Sequence, residues 1–210
     1  MNFIFIGGLQ MKNQSKKRIL SLTEGAICVA LAFVLELLFV WLNAILGISA
    51  LLPFGGTVTV SVLPIIYYSY RRGTAWGVFT GLIYASLQMA LGFYVPPAKT
   101  VWALMLCVIL DYILAFTVMG CANIFAKPWR EKRLVGYAVG AALVCLVRFA
   151  SSFLSGVILW GAYAPQGMNV WVYSLVYNAS YMIPNAILTS LAAVVVCAAV
   201  DPRTLKRMVK

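Results

Sequence analysis

A 210-residue chain that is 63% hydrophobic and only 10% charged, with a mean hydropathy of +0.95, departs far from the balance of a soluble domain. Folded in water, it would carry more apolar surface than one domain can hide, so its solvent is a bilayer. The net charge of +11 calls for no nucleic acid, because it follows the loops as a topology signal and gives some affinity for anionic lipid.

The first ten residues are mildly apolar. A polar stretch with Lys12, Lys16, Lys17 and Arg18 follows, without a cleavage-like site, so no cleavable signal peptide is expected, and Met11 is an alternative start. A spanning helix needs about 20 apolar residues. Six segments are predicted to meet the need: 19–42, 57–70, 74–94, 100–125, 134–160 and 171–199. The second is the shortest, since the residues from Gly55 to Tyr70 rise only about 24 Å as a helix. Pro53 and Gly55-Gly56 bound it on one side and Arg71-Arg72-Gly73 on the other. Its Tyr67, Tyr68 and Tyr70 suit a membrane interface.

The predicted fold is therefore an all-α integral membrane bundle of six transmembrane helices. With both termini on one side, that side collects 14 of the 16 Lys and Arg residues. The opposite loops hold Lys99 alone, and Arg148 falls inside a span. The basic side is then cytoplasmic. Residues 1–18 form a cytoplasmic N-terminal segment, 19–200 the membrane domain, and 201–210 a cytoplasmic basic tail of a multi-pass cell-membrane protein.

Small residues recur at four-residue steps: Gly73, Gly77 and Gly81 on the third segment, Gly136 and Gly140 on the fifth, Ala26 and Ala30 on the first. Such stripes let helices approach closely in lipid. The five cysteines (Cys28, Cys107, Cys121, Cys145, Cys197) are scattered without a C-x-x-C and read as small apolar filler. No cofactor and no metal site is expected.

The chain has no histidine, no G-x-S-x-G, no P-loop and no H-E-x-x-H, which speaks against ATP hydrolysis, Ser-His chemistry and metalloproteolysis. An aspartyl intramembrane protease needs two aspartates within the membrane, and only Asp111 qualifies. No catalytic residue is assigned. What remains are polar and aromatic groups inside apolar helices, where they are costly and usually purposeful. Asp111 sits beside Tyr112 in the fourth span, about 16 Å below its outer end. Arg148, Ser152, Gly156 and Trp160 follow one another at steps of four on one face of the fifth. Tyr173, Asn178, Tyr181 and Asn185 lie on the sixth. Together they outline an outward-opening pocket, lined by rings and holding a carboxylate, that suits a flat, partly cationic solute. Plainer roles exist for each. Asp111 and Arg148 can neutralise each other, Trp160 and Tyr173 can belong to an interfacial belt, and Asn178 can hold two helices together. Glu36, near the outer end of the first helix, reads as a snorkelling side chain.

Three runs carry a resemblance: GGTVTVSVLPIIYYSYRRG at 55–73, LDYILAF at 110–116, and RFASSFLSGVILWGAYAPQGMNVWVYSLVYNASYMIP at 148–184. They resemble the thiamine-specific S components of energy-coupling-factor (ECF) vitamin transporters over about residues 18 to 200. The last run, with S-G-x3-W, W-x-Y-S and Y-N-A-S-Y-M in order, is the most specific. The resemblance implies a six-helix substrate-binding domain at 19–200 that takes thiamine from outside. It implies partnership with a transmembrane coupling subunit and two ATPases, with the S component toppling to deliver the vitamin. Substrate-binding roles then fall on Asp111, Tyr112, Ser152, Gly156, Trp160, Tyr173 and Asn178. The coupling-subunit contact falls on Ala26 and Ala30. Some members have histidine where Ser152 stands and glutamate where Asp111 stands. Some also place a tryptophan in the loop after the first helix, for which Phe54 or Trp41 are the candidates here. An S component for riboflavin or a pyrimidine, and a non-transport membrane protein, are the alternative readings.

Overall fold

The computed structural model describes residues 2–52 and 56–202, with side chains from residue 14 onward. Phe54, Pro53, Gly55 and the basic tail from 203 to 210 lie outside the described residues, as do the side chains of the first thirteen. The described chain is helical, without strands paired into a sheet. We label its segments α1 (Asn2–Ile45), α2 (Leu63–Arg72), α3 (Thr74–Leu91), α4 (Val101–Trp129), α5 (Arg133–Leu159) and α6 (Val170–Ala199).

Four of these are long and apolar enough to cross a membrane: Gln14–Ile45 within α1, α4, α5 and α6. In their most apolar windows only 17–33% of residues are buried. The remaining apolar side chains face outward, which water would penalise and hydrocarbon does not. The eighteen residues of α3 rise about 27 Å and the ten of α2 about 15 Å.

Interior contacts explain how the segments are held. Ser21, Gly25, Val29 and Ala32 form the buried face of α1, while Ala26 and Ala30 are exposed on its outer side. Glu24 accepts hydrogen bonds from both Arg71 and Arg72, the shortest at 2.6 Å, and clasps α1 to the end of α2. Tyr68 and Tyr70, expected at a lipid interface, are instead buried. The Tyr68 hydroxyl donates to the Ser21 carbonyl (2.6 Å) and that of Tyr70 to the Tyr137 carbonyl (2.7 Å). A buried phenol needs such a partner, and these two tie α2 to α1 and α5.

The glycine stripes on α3 and α5 are packing surfaces inside the bundle. A Cβ on Gly120 of α4 would lie 2.1 Å from the backbone of Gly77 and Val78, and one on Gly81 would lie 2.6 Å from the Phe116 carbonyl. A Cβ on Gly140 would likewise lie 2.7 Å from the Ala122 carbonyl oxygen. Helix α4 is thus pressed between α3 and α5. Where it crosses Gly77 it tightens into a 3₁₀ turn, Val118–Cys121. There Ser69 of α2 donates to the Gly120 carbonyl (2.5 Å) and accepts from the Asn123 N–H (3.2 Å), supplying bonds that the altered helix does not.

The second predicted segment, 57–70, differs most from expectation. Helix α2 begins only at Leu63, with Pro64 in its first turn, where the missing N–H costs nothing. Residues 56–60 form no helix, and the hydrogen bonds of Thr57, Val58 and Thr59 leave on alternate edges, as in an extended chain. Thr57, Val58, Thr59 and Val60 are β-branched and prefer that form, and side chains from α1 and α6 meet their backbone groups: Asn43 bonds to Val58, and Asn185 to Thr57 and Thr59.

Candidate solute-binding cavity

A cavity of about 550 Å³ opens among α1, the extended 56–60 segment, α4, α5 and α6. Asp111, Tyr112, Ser152, Gly156, Trp160, Tyr173 and Asn178 all line it, and so does Arg148. The four-residue steps on α5 therefore do put Arg148, Ser152, Gly156 and Trp160 toward one space.

Asp111 enters this space from an irregular part of α4. Val108–Leu114 form a π-helical turn, a widened turn often found at functional sites. Three donors converge on one carboxylate oxygen: Ser155 Oγ at 2.6 Å, Trp160 Nε1 at 3.2 Å and Cys107 Sγ at 3.6 Å reach Asp111 Oδ2. Among the described residues, Oδ1 receives none of them. The indole of Trp160 is oriented by its own bond to Asp111, and its ring stacks on Tyr163 with centroids 6.1 Å apart.

No ion pair joins Asp111 to Arg148; among the described residues the ion pairs are those of Glu24 with Arg71 and Arg72 and of Arg133 with Asp201. The Arg148 guanidinium lies over the Phe116 ring, 4.6 Å from its centroid, and its buried Nε lacks a hydrogen-bond partner. Mutual neutralisation by contact is therefore not what holds either side chain.

Other predicted residues have a second occupation. The Tyr112 hydroxyl donates to the Gly92 carbonyl (3.1 Å) and accepts from the Tyr94 N–H (3.0 Å), while its ring stacks on Phe93. Asn178 joins α5 to α6: its amide donates to Ser174 and to the Ser152 carbonyl, and its oxygen accepts from the Tyr181 hydroxyl at 2.9 Å. A Cβ on Gly156 would meet Ser174 Oγ at 2.1 Å, so this glycine is what allows α5 and α6 to touch. Tyr173 stacks on Tyr177, which meets Tyr181 edge-on, and all three rings line the cavity.

Several lining residues were not foreseen. Glu36 points inward and accepts from Thr59 Oγ1 at 3.4 Å instead of snorkelling, and Thr57, Thr59, Gln88, Tyr94 and Tyr177 also contribute. Asp111 and Glu36 against Arg148 leave the lining formally anionic. The signal available for Glu36 was its cost in an apolar helix, the same signal that singled out Asp111. Trp41 is exposed and does not line the cavity.

Helices with mostly outward-facing apolar surface around a solute-sized cavity, polar inside and ringed by aromatics, define a polytopic membrane protein of the solute-binding kind. The chain belongs to the thiamine transporter protein family (Thia_YuaJ), whose model matches residues 22–205; it is a family of transporters and not of enzymes. It is 34% identical over 195 residues to thiamine transporter ThiT of Bacillus subtilis strain 168, covering 88% of this chain and 92% of that protein. It is 29% identical over 189 residues to thiamine transporter ThiT of Lacticaseibacillus paracasei, covering 84% and 86%. The solved structure of ThiT from Listeria monocytogenes has a similar fold, with a TM-score of 0.68 at 23% identity over 89% of this chain and 97% of that one.

Proposed function

We propose that this protein is the substrate-binding S component of an ECF-type importer in the cell membrane, with six spans and both termini cytoplasmic. It binds thiamine from outside and hands it on through a coupling subunit driven by two ATPases. The observation that carries the ligand is the Asp111 carboxylate, with Oδ2 saturated and Oδ1 left over, inside an aromatic cavity. Thiamine combines a permanently cationic thiazolium with a flat aminopyrimidine. The cation is matched by an anionic lining and by ring faces, and the flat ring by Trp160. The pyrimidine nitrogens can bond with Asp111, Tyr173 or Asn178. Family membership supports the same ligand. The exposed Ala26 and Ala30 on the outer face of α1 support a close approach by the coupling subunit there.

The direct test is titration of the purified protein in detergent with thiamine, followed by tryptophan fluorescence. Saturable quenching is expected, with Trp160 bearing most of the signal. Binding of riboflavin or of an isolated pyrimidine in place of thiamine would reassign the ligand within the S components.

A further inference from the structure

We infer that Asn43 and Asn185 are positioning residues for solute binding: together they hold residues 57–59 as a single extended strand that forms one wall of the cavity. The inference rests on the proposed reading of the cavity as a thiamine site.

A lone strand inside a membrane protein has a difficulty that a helix does not. Its backbone N–H and C=O groups point outward along two edges, and without water each needs a partner. In an extended chain the N–H and C=O of one residue share an edge, and the C=O before and N–H after it share the other. The two asparagines meet this pattern. On one edge Asn43 accepts from the Val58 N–H (3.1 Å) and donates to the Val58 carbonyl (2.9 Å). On the other edge Asn185 donates to the Thr57 carbonyl (2.9 Å) and accepts from the Thr59 N–H (2.7 Å). A carboxamide carries a donor and an acceptor side by side, so each one replaces a neighbouring strand.

The asparagines themselves are buried, at 3% and 9% exposure, and neither lines the cavity. Their effect reaches it through the strand. Alternate residues of a strand face the same side, and Thr57 and Thr59 both line the cavity while Val58 does not. Thr59 carries its hydroxyl to Glu36 at 3.4 Å and accepts from the Ser61 N–H at 3.0 Å. Gly56, at the start of the strand, lies so close to the Tyr181 ring that a Cβ would be 2.9 Å from it. A helix through 57–62 would satisfy its own backbone, but it would not present Thr57 and Thr59 side by side.

The experiment uses the full-length protein in detergent, with amide exchange read residue by residue and thiamine affinity measured on the folded fraction. In the unaltered protein the Val58 and Thr59 amides should exchange slowly. Asn43→Ala should release Val58 and Asn185→Ala should release Thr59, each with at least a 10-fold weaker thiamine affinity. Asn178→Ala serves as comparison: it should weaken binding while both amides stay protected. Should Asn185→Ala not fold, Asn185→Ser carries the same two readouts, since its shorter side chain cannot bridge the Thr57 carbonyl and the Thr59 N–H together. Wild-type affinity alongside freely exchanging amides would overturn the positioning role, and so would amides that stay protected in the alanine variants. A wild-type protein that ignores thiamine overturns the functional reading, and the exchange measurements, which need no ligand, then decide on the strand.

Discussion

Asp111 shows how one side chain can be structural and available at once. Ser155, Trp160 and Cys107 all bond to Oδ2, which fixes the carboxylate plane and orients Oδ1. Losing one partner of a buried charged hydrogen bond costs about 2–5 kcal/mol, so Asp111→Asn should weaken thiamine binding roughly 30-fold or more. If the carboxylate reads the thiazolium charge, an analogue with a neutral ring should lose much less, and isothermal titration of both ligands separates the cases. Equal losses would place Asp111 on the pyrimidine instead. Trp160→Ala should act twice, by removing the stacking face and by releasing Asp111 from a donor. Unchanged affinity in both well-folded variants would remove this site. The gathering of Arg148, Ser152, Gly156 and Trp160 around one space was legible in the sequence, because helical steps of four fix a face without knowledge of the neighbours. Ser155 and Glu36 were not. Ser155 meets Asp111 where α4 widens into a π turn, and Glu36 meets Thr59 where the chain has left the helix, and neither irregularity shows in the helical periodicity.

Elements fail to follow composition where tertiary contacts replace their internal hydrogen bonds. A short apolar run does not distinguish a buried strand from a piece of helix, and 57–70 is such a run. Its first part is extended because Asn43 and Asn185 satisfy its backbone, a fact held by residues 15 or more positions distant. The long segments were readable because twenty apolar residues in a bilayer leave few alternatives. The 3₁₀ turn in α4 was not, although the Gly77 stripe that it crosses was visible. That crossing is rigid. At Gly120 a Cβ would fall 2.1 Å from backbone atoms of α3, which no rotamer change relieves, and overpacking of this kind costs about 1–3 kcal/mol or more. Gly120→Ala should therefore lower the thermal midpoint of the detergent-solubilised protein by several degrees. Gly73 offers a contrast: nothing crowds it, but its φ of +96° and ψ of 170° belong to a region nearly reserved for glycine. Gly73→Ala should destabilise by about 1–3 kcal/mol through the α2–α3 turn alone. A midpoint unmoved by Gly120→Ala would mean that α3 and α4 are not in backbone contact.

At the scale of the whole molecule, orientation and partnership are one question. In the proposed six-span arrangement the basic side is cytoplasmic and holds both termini, so a reporter fused after Lys210 should report that side; an external signal would sink the six-span count. In this orientation the Glu24–Arg71–Arg72 clasp lies toward the cytoplasmic side of the first span, two residues from Ala26. The inner face of α1, with Gly25 against Thr80 and Tyr68, is already used for packing. Ala26 and Ala30 are exposed on the opposite side, and among the larger apolar side chains there they make a shallow track. In lipid such a track gains little by itself, and its benefit comes when another helix packs into it. Ala26→Trp combined with Ala30→Trp should fill the track while leaving the cavity alone, because neither residue lines it. In cells that supply the coupling subunit and its ATPases, thiamine uptake by this double variant should fall to background, while the purified protein should bind thiamine with unchanged affinity. Uptake at the wild-type rate would show that the coupling subunit approaches another face.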